Sequence, residues 1–176
     1  MSDGPRTGSV YVLDTSVVIG LKVLPIARQW AFLEFLSGMV RGGAIAFPRQ
    51  VVKEMAVAQF PDTPGTWVHH AHSLVRYTEP SDDTLARVLA VAPLLVEADA
   101  SAEREPADPY VAAMALQIAE QLPHCSVVVA TEDVVDRLPL KIALGTACGQ
   151  LGLKHRSTRD FIEWVDEYVD DGGAAS

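Results

Sequence analysis

At 176 residues with 49% hydrophobic content, the chain is long enough for one domain that buries about 70% of its unfolded surface, and it is too apolar for a disordered protein. Its formal net charge of −9 excludes a protein that coats nucleic acid through a broad basic face. If the substrate is a polyanion, a compact site must meet it, with metal ions and a few local Arg or Lys residues overcoming the general repulsion.

The apolar runs fall short of the roughly 20 residues of a membrane helix, so no membrane association is expected. Residues 1–8, Met1 to Gly8, are polar and read as a flexible N-terminus without the apolar core of a signal peptide. The default expectation is therefore cytoplasmic. Cys125 and Cys148 lie in apolar surroundings and read as reduced core thiols.

Ser9-Val10-Tyr11-Val12-Leu13 reads as a buried strand, followed by Asp14-Thr15-Ser16 and a second apolar run, Val17-Val18-Ile19. Phe32, Phe35, Leu36, Met39 and Val40 recur along one helical face that Gly42-Gly43 stops. That face is expected in the core; the alternative is a homodimer surface. Ala44 to Phe47 is a short strand candidate, and Pro48 opens a helix with Val51, Val52 and Met55 on one side. Pro61 to Gly65 breaks the pattern, Trp67 to Arg76 reads as a short helix, and Ser81 caps a helix to about Val91.

Asp99 to Ala107 reads as a charged loop, and Asp108-Pro109 opens a strongly helical run to Glu120. Ser126 to Ala130 is β-branched and unbroken, the mark of a strand buried on both faces. Residues 141–151 read as a helix ending at Gly152, Leu153 to Arg156 as a strand, and Ser157-x-x-Asp160 as a capping box before the last helix. Residues 171–176 read as a flexible tail, leaving 9–170 as a single domain. Strands alternating with helices predict a three-layer α/β/α fold with a short parallel central sheet.

Asp14 stands where the first strand stops. In an open α/β sheet, ligands bind outside the carboxyl ends of the strands, and Glu54, Asp108 and the pair Glu132-Asp133 are candidates to meet it there. Each has a plainer reading: Asp14 as a helix cap or turn residue, Glu54 on a solvent face, Asp108 as a cap before Pro109, and Glu132 or Asp133 as an acid favouring a helix macrodipole. Adjacent side chains seldom enter the same cleft. The spacing favours Asp133, because Thr131 can cap the turn while Asp133 reaches back. Converging carboxylates repel one another unless a cation joins them, so a metal-dependent site is the leading hypothesis. Arg49, Lys53, Arg104 and Lys141, with Arg137, flank these acids and are candidates for substrate phosphate. His69, His70 and His72 lack a Cys or carboxylate at zinc spacing and read as surface residues.

Taken in order, Val12-Leu13-Asp14-Thr15-Ser16, Val51-Val52-Lys53-Glu54-Met55, Ala107-Asp108-Pro109-Tyr110-Val111-Ala112-Ala113 and Val128-Val129-Ala130-Thr131-Glu132-Asp133 resemble the motifs of the PIN domain family. The resemblance is to the small bacterial ribonuclease toxins of VapBC-type toxin–antitoxin pairs in particular. It implies a PIN-like fold and a Mg²⁺- or Mn²⁺-dependent endoribonuclease that hydrolyses RNA phosphodiester bonds. Asp14, Glu54, Asp108 and Asp133 are then the metal-site acids, with a hydroxyl from Thr15 or Thr131 in support and Glu132 as the alternative fourth acid. It also implies a cognate antitoxin whose segment lies over the active site. Two other readings compete. One is an Asp-dependent phosphatase-like hydrolase, although Ser16 occupies the place where such sites want a second acid. The other is a PIN-fold module that has lost catalysis and binds only a partner protein.

Overall fold

The computed structural model describes residues 8–56, 63–97 and 105–173. Four strands form one parallel sheet in the order β2-β1-β3-β4: β1 (Ser9–Leu13), β2 (Ile45–Ala46), β3 (Ser126–Ala130) and β4 (Lys154–Arg156). β1 and β3 are the middle strands, and both are unbroken apolar runs because a parallel sheet is covered on both faces. Their register pairs Val12 with Val129 and Leu13 with Ala130. The residues just past the two strands, Asp14 and Thr131, are therefore neighbours.

The chain leaves β1 toward β2 on one side and later returns to place β3 on the other. The carboxyl ends of β1 and β3 are thus a topological switch point, where an open α/β sheet leaves a crevice. Right-handed crossovers put the two sets of helices on opposite faces. α1 (Thr15–Gly20) and α2 (Ile26–Arg41) connect β1 to β2. Among the described residues α3 (Arg49–Ala56), α4 (Thr63–Ala71), α5 (Asp82–Val91) and α6 (Asp108–Gln121) lie between β2 and β3. α7 (Leu144–Gln150) leads to β4, and α8 (Thr158–Gly173) closes the fold.

One outer layer joins α2 to α8. The Tyr11 ring stacks on Trp164 at 4.2 Å and lies 5.5 Å from Phe161, Phe35 meets Tyr168 at 6.2 Å, and Arg28 forks onto Asp166 at 2.7 and 2.8 Å. The other layer is α6 with α7, packed on β1, β3 and β4. Val111, Ala112 and Ala115 are fully buried in α6, and two alanines among them let the helix approach the sheet closely. Phe32, Leu36, Met39 and Val40 lie in the core, which makes the α2 face an internal one.

Several boundaries differ from expectation for identifiable reasons. Gly8 is tied rather than free: it takes φ +64°, and its carbonyl accepts the Ser126 N–H at 2.8 Å. Residues 1–7 lie outside the described residues. Thr63, Pro64 and Gly65 belong to the first turn of α4, where a proline has no intrahelical hydrogen bond to lose; Pro61 is not among the described residues. Residues 141–143 are not helical. Ile142 N–H donates to the Leu94 carbonyl at 2.9 Å and Ala143 N–H to Asp136 at 2.8 Å, so α7 starts only at Leu144. The capping box forms as read, with Ser157 N–H on Asp160 at 3.3 Å and Asp160 N–H on Ser157 Oγ at 3.2 Å. The tail begins later than predicted, because α8 continues to Gly173; once a helix is nucleated, each further residue adds a hydrogen bond even where composition is poor. Cys125 and Cys148 are both free thiols, the latter buried. No helix among the described residues is long and apolar enough to cross a membrane.

Candidate functional site

Asp14 follows β1 directly and is only 3% exposed. Its backbone N–H reaches the Ala130 carbonyl at 3.0 Å, extending the strand pairing by one residue. Three donors hold its carboxylate. Thr15 N–H meets Oδ1 at 2.7 Å, while the hydroxyls of Ser16 and Thr131 meet Oδ2 at 2.6 and 2.9 Å. A carboxylate offers about four lone-pair positions, so one remains open on Oδ1. The turn-and-cap reading of Asp14 is therefore correct and compatible with a site.

Glu54 does not face solvent as an isolated helix would suggest. Its Oε2 accepts the Thr15 hydroxyl at 2.5 Å, and its Oε1 accepts the Ala107 N–H at 2.7 Å. One side chain thus ties α3 to the segment after β1 and to the entry of α6. Asp108 is not the cap of α6 but its first residue, with Ala107 at the cap position and the Ala107 N–H taken by Glu54. The Asp108 side chain, in a residue that is 8% exposed, turns inward and accepts from Lys141 Nζ. The same ammonium lies 3.6 Å from Asp133 Oδ2, which also accepts Leu144 N–H at 3.1 Å.

The charges register this proximity. Burial pushes Asp14 above the ordinary carboxylate range against its three hydrogen bonds, and the charge of Glu54 adds to the rise. Asp108 is raised to about 6: burial is the main cause and the Asp14 charge the next, Lys141 pulls it down through its bond and charge, and Asp133 raises it again. Burial alone would lower Lys141, yet its bond to Asp108 and the charges of Asp108 and Asp133 hold it above the ordinary value. Cys148 is pushed up to about 12 by burial and by the charges of Asp14 and Asp108. The acids are thus linked in two pairs, Glu54 to the Asp14 turn through Thr15 and Asp108 to Asp133 through Lys141, with the charges of Asp14 and Asp108 acting between the pairs.

The adjacent acids separate as their spacing suggests. Glu132 Oε1 accepts the Thr158 N–H at 2.5 Å at the start of α8, and the Glu132 N–H donates to Ser16 Oγ at 3.0 Å. Asp133 is the one turned to the cluster, and its N–H donates to Thr131 Oγ1 at 3.0 Å. Thr15 and Thr131 thus orient acids through their hydroxyls. Arg49 and Lys53 line a recess of about 360 Å³ with Gln50, Glu79, Pro80 and Tyr110, between the helix bearing Glu54 and the one bearing Asp108. Arg137 pairs with Glu97 at 2.8 Å. Arg104 lies outside the described residues. His72 pairs with Glu79 at 2.9 Å, while His69 and His70 are exposed.

Every donor in the cluster is oxygen, the type that hard divalent cations take, and Mg²⁺ needs only one or two carboxylates beside its waters. That chemistry fits Mg²⁺ or Mn²⁺. Among the described residues no three acid, histidine or cysteine side chains are gathered into a single coordination sphere. The hydroxyls of Thr15, Ser16 and Thr131 and the ammonium of Lys141 currently occupy part of the oxygen lone pairs.

The family model "Domain of unknown function (DUF4411)" matches residues 11–167. The chain belongs to the DUF4411 family. No curated protein matches it significantly. The DUF4411 match runs from within β1 into α8, so it contains all the acids of the cluster, Lys141, and the strand ends that carry Asp14 and Thr131.

Within this DUF4411 chain, Ser16, Lys141 as a partner of the acids, and the reach of Glu132 to α8 escape sequence reasoning. Lys141 left one signal, a lone cation inside the apolar run Leu138 to Leu144; a charge in such a run is buried only with a partner. Glu54→Ala is expected to cost about 1–3 kcal/mol, because it leaves the Ala107 N–H and the Thr15 hydroxyl without their acceptor. Urea unfolding of the variant checks this, and a loss under about 0.5 kcal/mol would show that water replaces Glu54 freely.

Proposed function

We propose that this protein is a Mg²⁺- or Mn²⁺-dependent endoribonuclease of PIN type, hydrolysing RNA phosphodiester bonds. The observation that supports it best is a chain of links beyond the carboxyl ends of the two middle strands: Thr15 connects the Asp14 turn to Glu54, and Lys141 joins Asp108 to Asp133. The order of the acids along the chain, which resembles the PIN pattern, and the α/β/α architecture support the same reading. Asp14 and Asp108 would hold the ion, with Glu54 and Asp133 at its flanks. When bound, the ion supplies an acidified water and charge stabilisation at the phosphate.

The chain's own groups do the rest. Thr15, Ser16 and Thr131 fix the acid oxygens, so little reorganisation is needed when charge develops. Arg49 and Lys53 meet backbone phosphate in the recess between α3 and α6, and Tyr110 presents a ring on which a base can stack. Local cations beside an acidic surface suit contact with a short single-stranded stretch better than capture of a long duplex. From the same resemblance comes the role of toxin in a type II pair held by a cognate antitoxin, and a cytoplasmic setting remains the default expectation of the sequence.

The test is a cleavage assay on total RNA with Mg²⁺, Mn²⁺ and EDTA. Cleavage with either metal and none with EDTA is expected, and cleavage that persists in EDTA would end the proposal. In the same assay, Arg49→Ala with Lys53→Ala should lower kcat/KM about tenfold, chiefly through KM, and reduce the salt slope by about 1–2. An unchanged salt slope would move the RNA path away from this recess.

A second reading, a binding module without catalysis, draws support from Lys141 already seated between two of the acids. It predicts little Mn²⁺ affinity that depends on Asp14 and Asp108. The phosphatase-like reading is weaker, since an Asp14 carboxylate accepting three hydrogen bonds is a poor nucleophile.

A further inference from the structure

Taking the identity of the incoming ion from the nuclease reading, we infer that Lys141 is the resident counter-ion of the acid cluster, and that a divalent cation enters by exchanging with its ammonium. The Lys141 side chain is 15% exposed, touches Asp108 Oδ2 and lies 3.6 Å from Asp133 Oδ2. An ion held by Asp108 would compete with this ammonium for the same carboxylate. Two cations cannot share it without strong mutual repulsion, so one must give way.

The surroundings limit how it gives way. Arg137 N–H reaches the Lys141 carbonyl at 2.8 Å and Lys141 N–H the Arg137 carbonyl at 3.2 Å, while Ile142 and Ala143 are tied to Leu94 and Asp136. The backbone is held on both sides, so exchange is a swing of the four-carbon side chain alone. Beside it, the hairpin tip Leu138–Leu140 is exposed, which leaves room at the outer edge of the cluster. There the released ammonium meets an incoming phosphate, so metal entry and substrate binding are coupled through one side chain. No other cation takes this part among the described residues: Arg137 is engaged with Glu97, and Arg49 and Lys53 line the separate recess.

Mn²⁺ titration calorimetry on the full chain tests the exchange. Lys141→Met, which keeps an unbranched side chain one atom shorter and without charge, should bind Mn²⁺ at least about tenfold more tightly than the wild type. Acylation of Lys141 by an amine-reactive ester, followed by mass spectrometry, reads the same event in the wild type without relying on the variant's folding; reactivity should rise severalfold at saturating Mn²⁺. Equal or weaker Mn²⁺ binding by a folded Lys141→Met protein, or reactivity indifferent to bound Mn²⁺, would overturn the exchange and leave the nuclease reading standing. Mn²⁺ binding by Lys141→Met but not by the wild type would show Lys141 as a fixed counter-ion, overturning the exchange and ending the nuclease reading. Absence of binding in both would overturn both.

Discussion

Asp14→Asn and Asp108→Asn should each lower Mn²⁺-dependent RNA cleavage by about a thousandfold or more while leaving the circular dichroism spectrum unchanged. The substitution keeps the size of the side chain. At position 14 the amide oxygen still accepts the Thr15 N–H, and the hydroxyls of Ser16 and Thr131 can rotate to receive the amide hydrogens. What is lost is negative charge at the place where the two middle strands end. A folded Asp14→Asn protein that cleaves RNA at the wild-type rate would remove the catalytic assignment.

The second large effect is on stability. Asp108 has an ordinary value of 3.8 and is raised to about 6 in the fold. Its contribution is fully present below the lower value, where the carboxyl is neutral in both states, and is lost as pH rises through the higher one. Metal-free protein should therefore lose up to about 3 kcal/mol from this group between about pH 4 and 6. Asp14 is shifted in the same direction and adds to the loss. Asp108→Asn stays neutral throughout, so at pH 7.5 in EDTA its Tm should exceed that of the wild type, with the difference vanishing near pH 4. Thermal unfolding of both proteins across this range isolates the group. Parallel curves would mean that Lys141 compensates the buried charge in full.

Much of the fold is legible because its signals are local. The β-branched runs at Val10 to Leu13 and Val127 to Ala130 can only be buried strands, and the Ser157/Asp160 box marks the start of α8 within four residues. Asp14 could be singled out because its position depends only on where a strand ends. Glu54 could not be assigned from its surroundings, since Val51-Val52-Lys53-Glu54-Met55 is an ordinary amphipathic turn. Its partners, Thr15 and Ala107, arrive from distant segments. The Asp108-Pro109 pair carries the composition of a cap, but the helix starts one residue earlier than that reading needs, and the Asp108 side chain pairs with Lys141 instead. Lys141 was hidden for another reason. Helical propensity after it is high, yet bonds from Leu94 and Asp136 hold residues 142–143 extended, which aims its side chain at the acids.

The link from Glu132 to the first turn of α8 carries a consequence of its own. The residue beside Asp133 is fastened to the final helix of the chain, and that helix is in turn stacked on Tyr11 at the heart of β1. A short chain of contacts therefore runs from Thr158 at the start of α8, across one carboxylate, into the turn that carries Asp133. Among the described residues the last helix thus braces, through Glu132, the turn in which Asp133 stands.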